Sequence, residues 1–408
     1  MSINSTDKSS PLRLLIVGGG RRFQTIYQPI LNDISEWMIP IAVYDPILQT
    51  AKSRADEIGC LGSDDLPELL KIKDFDAALI CTPIPTHFGL TAYLLEHGIH
   101  CHTETQWCST IDQAKKLCEL AKKNALVSNV AEMFPYMPAD RFAQALRKRG
   151  DIGQIGRIFS YGSNANYHNC ARWVSWARRA PDTVRAIQHS APDGQGRGDS
   201  DIFMSREFYW DDGLMIVDQR AGINGSRGRT GRPGYEEWHG THGTLRHAPA
   251  PSRDFDGNMA IYGLIHEGQR FDGLPVEKIL RRGNWESSQC LLPRGVLSVK
   301  NQHPTRTKTG WAHCQYWYAA AVIAHLYDFA SAVQNNSEPQ MGAELSLATV
   351  EMQIASLISI ENGGATISLC DLDTEAYDNA IINEIQEQYN YHPDDIEAVV
   401  NPKPKNLK

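Results

Sequence analysis

The clearest chemical pattern in this chain is three consecutive glycines, Gly18-Gly19-Gly20, directly after an apolar run from Leu12 to Val17. The run is short and β-branched and predicts a buried strand, and the residues from Gln24 to Asp33 predict a helix. Free backbone N–H groups at the start of a helix bind anions, so strand, glycine turn and helix together predict a site for a pyrophosphate.

An acidic residue ends the next predicted strand. Ile41 to Tyr44 predicts that strand, and Asp45 follows it. A carboxylate at this point accepts hydrogen bonds from the ribose hydroxyls of the adenosine half of NAD. The alternative is that Asp45 only starts a turn before a helix from Leu48 to Ile58. The order of strand, glycine loop, helix, strand and acid favours a dinucleotide site.

The glycine loop departs from the G-x-G-x-x-G pattern at its third position. Gly18 and Gly20 match the pattern, whereas Phe23 occupies the third glycine's place. Arg21 and Arg22 stand where they could pair with the 2′-phosphate of NADP. Asp45 would repel that phosphate, so the residues favour NAD and leave NADP as the alternative.

Strands and helices alternate from residue 12 to Val130, which predicts a parallel, doubly wound α/β sheet. Ligands of such sheets bind in a crevice at the carboxyl ends of the strands. Five further residues fall at predicted strand ends and are candidates for lining the cofactor. They are Thr82, Pro83, His87, Glu104 and Thr105.

Composition limits the classes of protein that this chain can represent. It has 408 residues, a formal charge of −8 and 42% hydrophobic residues, which predicts two or three globular domains and argues against a general nucleic-acid coat. No run of eighteen apolar residues occurs, so we expect no membrane span. The first eleven residues are polar and predict a leader without a signal peptide, hence a cytoplasmic protein.

The nine cysteines predict reduced, mostly buried thiols. They are scattered and form no C-x-x-C pair. Cys101-His102 with Cys108 resembles a metal-ligand run, but no second pair stands at ligand spacing, so we expect no metal site.

Five motifs resemble those of the Gfo/Idh/MocA family of nicotinamide-dependent oxidoreductases. They are Ile16-Val-Gly-Gly-Gly20, Asp76-Ala-Ala-Leu-Ile-Cys-Thr-Pro83 with His87, Gly98-Ile-His-Cys-His-Thr-Glu104, Gly153-Gln-Ile-Gly-Arg-Ile158 and Gly240-Thr-His-Gly243. Similarity is dense over residues 12–160, thin over 185–310, and visible again from Ala320 to Leu369, where Ser359-Ile-Glu-Asn-Gly363 matches the family's last helix.

The resemblance implies a Rossmann domain over residues 12–132, after a leader at 1–11. It also implies an α+β substrate domain over 133–370 with a large, open, mostly antiparallel sheet. Such a sheet commonly forms the subunit interface, so we expect a homo-oligomer. Residues 371–408 form an acidic extension beyond the family's last strand, which we interpret as a solvated helix with a frayed end.

By resemblance the activity is hydride transfer between NAD(P) and a sugar, polyol or derivative, with a C=N or conjugated substrate as a variant. The family's usual lysine is replaced by Thr105, and its usual aspartate by Asn164. The alternatives are therefore a non-redox or transiently redox lyase-like descendant, or a nicotinamide-binding regulatory protein.

The family's general acid/base aligns with His168, whose imidazole titrates near neutrality. Tyr167 is the fallback proton donor, and Thr105 and Asn164 can hydrogen-bond a substrate without titrating readily. Arg172 is a further candidate for substrate binding. The alternative for His168 is a capping or packing residue ahead of a helix from Cys170 to Ala180.

Two strand-end residues have more specific interpretations. Glu104 would contact the nicotinamide ribose by resemblance, and its alternative is a solvent-exposed strand end. His87 is expected to position the backbone beside the cofactor.

Arginines are concentrated in one stretch of the second half. Arg220, Arg227, Arg229 and Arg232 lie within thirteen residues that contain no acidic residue. Arginine is the usual partner of carboxylates and phosphates, so an anionic substrate is one interpretation. A glycine-rich surface loop is the other.

Overall fold

The computed structural model describes residues 10–162, 166–192, 200–221, 235–248, 258–281, 284–307, 309 and 316–402. The chain forms two compact units. The first contains the described parts of 1–131, 322–346 and 378–408, and the second those of 132–321 and 347–377.

The first unit is built on a sheet of six described strands, all paired in parallel, in the order β3-β2-β1-β4-β5-β6. This arrangement confirms the predicted doubly wound fold, and the order reverses between β1 and β4, where such sheets bind ligands. The strands are β1 (Leu12–Val17), β2 (Met38–Tyr44), β3 (Leu61–Ser63), β4 (Ala77–Ile80), β5 (His100–Thr103) and β6 (Ser128–Val130).

The segment after the glycines is less regular than the predicted helix from Gln24 to Asp33. A π-helical turn (Phe23–Tyr27) and a 3-10 turn (Gln28–Ile30) precede the short helix α1 (Leu31–Ile34). Pro29 lies in this segment and has no N–H to donate, which interrupts a regular helix. Four further helices of this unit are α2 (Leu48–Ile58), α3 (Leu66–Ile72), α4 (Ile84–Glu96) and α5 (Ile111–Lys123).

The second unit contains α6 (Pro138–Arg149), α7 (Asn166–Ala177) and a sheet of eleven described strands. The order is β18-β17-β16-β13-β12-β11-β7-β10-β9-β8-β19. The β7–β10 pair is parallel and the other described pairs are antiparallel, which confirms the predicted mostly antiparallel sheet.

The strands of this unit are β7 (Ile155–Gly162), β8 (Thr183–Pro192), β9 (Ser200–Tyr209), β10 (Met215–Ala221), β11 (Tyr235–Gly240), β12 (Thr244–Ala248), β13 (Asn258–Tyr262), β14 (Leu264–His266), β15 (Gln269–Phe271), β16 (Leu274–Arg281), β17 (Asn284–Leu292), β18 (Gly295–Lys300) and β19 (Ile367–Ser368). Strands β14 and β15 form a separate hairpin.

Four described helices come after β18 in the sequence, two of them before β19 and two after it. They are α8 (Tyr316–Asn335), α9 (Ala343–Glu361), α10 (Glu375–Tyr389) and α11 (Ile396–Val400). Helix α9 is long and apolar enough to cross a membrane, but 61% of its apolar window is buried in the protein, as in the core helix of a folded domain.

The end of the described chain packs within the first unit. The side chains of Val399 and Val400 are buried there, and α11 lies against α4. The expectation of a frayed end is therefore wrong as far as residue 400. Helix α10 is mostly exposed, with Asp378 and Ile385 buried.

Candidate active site

The glycine turn after β1 has the shape of a phosphate cradle. Gly18 has φ +95°, and a Cβ there would lie 2.9 Å from Thr82 Cγ2 and 3.0 Å from the carbonyl carbon of Cys81. Only glycine allows the ends of β1 and β4 to approach so closely. A Cβ at Gly20 would meet no atom within 4 Å, so the backbone of this residue faces open space. A ligand has room to approach at this point.

Asp45 lies beside this turn and is 8% exposed. Its Oδ2 accepts a hydrogen bond from the Gly19 N–H at 2.9 Å, and its Oδ1 accepts one from the Ile47 N–H at 3.0 Å. Burial raises the pKa of Asp45, and the two backbone hydrogen bonds oppose that rise. Each oxygen keeps lone-pair capacity for a ribose hydroxyl.

A cleft of about 320 Å³ opens next to the turn. Its walls carry hydroxyl, amide and guanidinium groups that suit a polar, anionic ligand. They are formed by Gly19, Gly20, Arg21, Gln24, Gln49, Thr50, Ser53 and Arg54. The open face of Gly20, the carboxylate of Asp45 and this cleft together fit a dinucleotide.

Two predicted cofactor residues have other roles. The side chain of Phe23 is fully buried, so it packs in the core of the first unit and does not line the cleft. Arg22 does not serve a 2′-phosphate, because its Nε donates to Glu104 Oε1 at 2.6 Å. This bond carries the guanidinium toward the end of β5, whereas a 2′-phosphate would lie at the end of β2.

Glu104 is buried, which rules out the interpretation as a solvent-exposed strand end. The Tyr27 hydroxyl donates a hydrogen bond to Oε1 at 2.5 Å, and the Thr105 N–H donates one to Oε2 at 3.0 Å. Burial alone would raise the pKa of Glu104, but the charge of Arg22 and these hydrogen bonds hold it below its ordinary value. These partners therefore favour the charged form of the Glu104 carboxylate.

His87 links the ends of two strands. Its ring nitrogens lie 2.8 Å from the Thr82 carbonyl and 2.5 Å from the Gln106 carbonyl, and burial lowers the pKa of the ring. This geometry ties the loop after β4 to the loop after β5. The contact with a cofactor stays a prediction.

The other strand-end residues lie at the same edge. Thr82 Oγ1 accepts from Thr86 Oγ1 at 2.7 Å, and Pro83 is the N-cap of α4. Thr105 Oγ1 lies 3.4 Å from Glu104 Oε2 and supplies no titrating group near neutrality.

The Cys101-His102 run does not resemble a metal site in the structure. The nitrogens of His102 lie 2.7 Å from Asn129 Oδ1 and 2.8 Å from His325 Nδ1, and Cys101 Sγ contacts the Ile99 carbonyl. Among the residues that the structure describes, no group of three or more His, Cys, Asp or Glu side chains is arranged to hold a metal ion.

In the second unit, His168 pairs with a carboxylate. It lies in the first turn of α7, because that helix begins at Asn166 rather than at the predicted Cys170. His168 Nδ1 is 2.7 Å from Glu132 Oε2. Sequence reasoning missed Glu132, although its place just after β6 follows the strand-end rule that identified the other candidates. A histidine–carboxylate pair is a common arrangement for moving a proton.

Two other predicted site residues, Tyr167 and Asn164, are close to His168 in the sequence. Tyr167 is buried, with its ring centroid 6.3 Å from that of His168 in an edge-on arrangement. Asn164 lies outside the described residues.

The prediction that Arg172 binds substrate does not fit its surroundings, because the guanidinium is buried between two carboxylates. It donates to both oxygens of Glu236, with Nη2 2.8 Å from Oε2, and its Nε donates to Asp140 Oδ1 at 2.9 Å. Burial and the neighbouring Glu236 charge raise the pKa of Asp140, whereas Arg172 holds that of Glu236 low. Arg172 thus bridges α7, α6 and β11.

Arg220 belongs to the same buried network and not to a surface loop. It forms an ion pair with Asp218, its Nη2 donates to Ser160 Oγ at 2.7 Å, and its Nη1 lies 3.0 Å from the Asn169 amide oxygen when that amide faces the guanidinium. Arg227, Arg229 and Arg232 lie outside the described residues.

Comparison with known proteins agrees with this geometry. The model of the Gfo/Idh/MocA family, described as an oxidoreductase family with an NAD-binding Rossmann fold, matches residues 12–132. D-glucoside 3-dehydrogenase of Escherichia coli is 30% identical over 165 residues, which are 38% of this chain and 44% of that protein. The scyllo-inositol 2-dehydrogenase (NAD(+)) of Bacillus subtilis is 30% identical over 122 residues, 30% of this chain and 35% of that protein.

The alignments thus span less than half the length of these two curated relatives. A solved structure of an inositol dehydrogenase homolog from Azotobacter vinelandii, complexed with NADH and myo-inositol, covers 88% of this chain and 98% of its own at a TM-score of 0.62 and 15% identity. At that identity the likeness shows the fold. Residues 12–132 of this chain match the NAD-binding Rossmann fold of the Gfo/Idh/MocA oxidoreductase family.

Proposed function

We propose that this chain is an NAD-dependent dehydrogenase whose substrate is a small sugar- or polyol-like alcohol. The observation that carries the proposal is the cradle in the first unit, where Gly20 faces open space beside the buried carboxylate of Asp45. The names of the two curated relatives support the substrate class. Asp45 supports NAD over NADP because its charge would repel a 2′-phosphate.

When bound, the nicotinamide accepts or delivers the hydride. The substrate oxygen must then lose or gain a proton, and His168 is the proposed acid/base. Its side chain is 21% exposed, so the ring is accessible while one nitrogen is held by Glu132. Tyr167 is the fallback donor, although its burial makes it less accessible than His168. Thr105 can hydrogen-bond a substrate without exchanging protons.

We further propose a homo-oligomer that uses the second unit's sheet. One face of β8 and β9 carries Ile187, Phe203 and Tyr209, all exposed, whereas Arg206 and Phe208 point to the buried face. Exposed apolar side chains on a sheet face are typical of an interface. The proposed occupant is a second copy of this chain.

A second candidate function is a lyase-like or regulatory protein that binds nicotinamide without net turnover. Thr105 favours it, because no ammonium group stands where the family has lysine. The two candidates share the cradle and differ in net redox chemistry.

One experiment separates these functions. Binding of NAD⁺ to the purified chain is measured by calorimetry, and reduced nicotinamide is followed by absorbance with myo-inositol and methyl β-D-glucoside as probes. Binding with reduction supports the dehydrogenase, and binding without reduction by any probe sugar or polyol supports the second candidate.

A blocked variant tests the cradle itself. Gly20→Val should fold, since a Cβ there meets no protein atom within 4 Å, but should abolish NAD⁺ binding. Gly156→Val is the matched control, because a Cβ there lies 3.9 Å from its one neighbour, the Gly213 oxygen. Unchanged NAD⁺ binding in Gly20→Val would overturn both candidates.

A further inference from the structure

We propose that Glu132 is a positioning residue, which fixes the ring of His168 in the tautomer that carries its proton on Nδ1. This inference rests on the proposed function, because it concerns the residue that exchanges the substrate proton. It assigns a task to a carboxylate that neither the sequence motifs nor the family resemblance identifies.

The carboxylate of Glu132 is fully buried and held at both oxygens. Its side chain is 0% exposed, its Oε1 accepts the Phe134 N–H at 3.0 Å, and its Oε2 lies 2.7 Å from His168 Nδ1. A carboxylate oxygen is the acceptor in such a contact, so the proposal makes His168 Nδ1 the donor. The contact therefore determines which ring nitrogen carries the proton.

A second contact determines the plane of the ring. Phe134 stacks on His168, with the ring centroids 4.9 Å apart and an interplanar angle of 20°. The backbone N–H of Phe134 also holds Glu132, so one residue orients both members of the pair. Rotation of the imidazole would break the stacking and the hydrogen bond together.

In the fixed tautomer, Nε2 has the lone pair that accepts a proton. During alcohol oxidation Nε2 would accept the substrate hydroxyl proton while the electrons of the O–H bond form the carbonyl bond. A nicotinamide held by the cradle of Gly18, Gly20 and Asp45 would supply the acceptor for the hydride that leaves the C–H bond. The imidazolium that results donates from Nδ1 to Glu132, whose negative charge stabilises it. The reverse reaction returns the proton from Nε2.

Other charged groups near the pair are engaged with one another. Asp140 of α6 is close enough for its pKa to be raised in part by Glu132, and it accepts from Arg172 of α7. Arg172 is bound on its other side by Glu236 of β11. The group that accepts the hydrogen bond of His168 Nδ1 is Glu132 itself.

The test reads the tautomer directly, without a substrate. Nitrogen-15 chemical shifts of the His168 ring are recorded in the full-length protein, with His168→Asn identifying its signals. At a pH where the His168 ring is neutral, the wild type should show a protonated Nδ1 and an unprotonated Nε2. Glu132→Leu, which removes the acceptor, should shift the population toward the Nε2-protonated tautomer. Glu132→Met also removes the acceptor, at a similar length of side chain, and replaces the leucine variant if that variant does not fold.

The matched control is Glu237→Gln. Glu237 also forms a histidine pair in the second unit, with Oε2 2.9 Å from His239 Nε2, but lies on a different element. The Glu237→Gln substitution should leave the His168 tautomer and the turnover of the enzyme unchanged.

Turnover gives the second readout. With a probe alcohol that is turned over, Glu132→Gln should lower kcat on the order of 10- to 10²-fold, with a smaller change in KM, and shift the acid limb of the pH profile to lower pH. Glu132→Asp should recover part of that loss.

An unchanged tautomer in a folded Glu132→Leu or Glu132→Met variant would overturn the positioning role, whatever the turnover. Failure of every probe alcohol to reduce NAD⁺ would overturn the proposed function, while the tautomer result would still stand on its own.

Discussion

The phenol of Tyr44 donates a hydrogen bond to the backbone carbonyl of Val400 at 3.1 Å, across 356 residues of sequence. Tyr44 is the last residue of β2, next to Asp45, so the end of the described chain contacts the strand that precedes the proposed cofactor carboxylate. Val399 packs on Gly89 of α4, where a Cβ would lie 2.9 Å from its Cγ1. The segment is an integral part of the first unit.

This packing predicts that Gly89→Ala destabilises the protein. The new Cβ must displace Val399, which costs about 1–3 kcal/mol of unfolding free energy. Val399→Ala in the same chain should recover part of that loss, giving a favourable coupling in a double-mutant cycle measured by urea unfolding. Additive effects of the two substitutions would contradict the contact.

Asp45→Asn should weaken NAD⁺ binding about 10-fold, because a charge-assisted hydrogen bond to the ribose becomes a neutral one. The same change removes the repulsion of a 2′-phosphate, so NADP⁺ binding should become stronger. Calorimetry with both nucleotides measures the two effects. Asp64→Asn, an exposed acid after β3, is the control, and an unchanged NAD⁺/NADP⁺ ratio in Asp45→Asn would contradict the assignment.

Arg22 should make part of the protein's stability pH-dependent through Glu104. The pKa of Glu104 is lowered in the fold from its ordinary value of 4.5, since Arg22 and the hydrogen bonds outweigh burial. A lowered carboxyl pKa stabilises the fold above the unfolded pKa, and this stabilisation is lost as pH falls through the folded pKa.

Arg22→Gln should therefore cost about 1–3 kcal/mol near neutral pH, and the difference from wild type should shrink below pH 4.5. Urea unfolding at several pH values measures this. Lys71→Gln, which removes an exposed pair with Glu68, should cost much less. A difference that stays constant with pH would refute the coupling.

Phe203→Asp should convert the proposed oligomer to a monomer. A charge on the exposed apolar face of β8 and β9 would be desolvated against a second copy, which is unfavourable. Light scattering after size-exclusion chromatography gives the mass. Ile72→Asp, at an exposed apolar position of α3, should leave it unchanged. An unaltered mass in Phe203→Asp would place any interface elsewhere.

The parts of the fold predicted best from sequence are those with strong local patterns. Helix α2 runs from Leu48 to Ile58 as predicted, and Gly18 and Asp45 follow from a strand–turn–helix–strand pattern contained in about thirty residues. Strand β3 was missed because its three residues, Leu61–Ser63, give no periodicity to detect.

The polar partners were harder to predict, because they come from distant segments. Glu132 is 36 residues from His168, and Glu236 is 64 residues from Arg172. Arg172 looks like a substrate ligand in sequence, since nothing there shows that α7 lies on β11. Which carboxylate meets which side chain depends on the register of the sheet and the packing of the helix, and local sequence patterns do not encode either.

His168→Asn should lower kcat on the order of 10²–10⁴-fold with any probe alcohol that the wild type oxidises, because general acid/base catalysis contributes this much. NAD⁺ binding should be unchanged, since the cradle of Gly18, Gly20 and Asp45 lies wholly in the first unit. Tyr167→Phe is the matched variant: it keeps the buried ring, removes the alternative donor and should retain most activity. The absorbance of reduced nicotinamide during steady-state turnover gives kcat, and calorimetry on the same preparations gives the affinity for NAD⁺. If Tyr167→Phe lost the activity and His168→Asn kept it, the proton would pass through the tyrosine and the Glu132–His168 pair would serve packing alone.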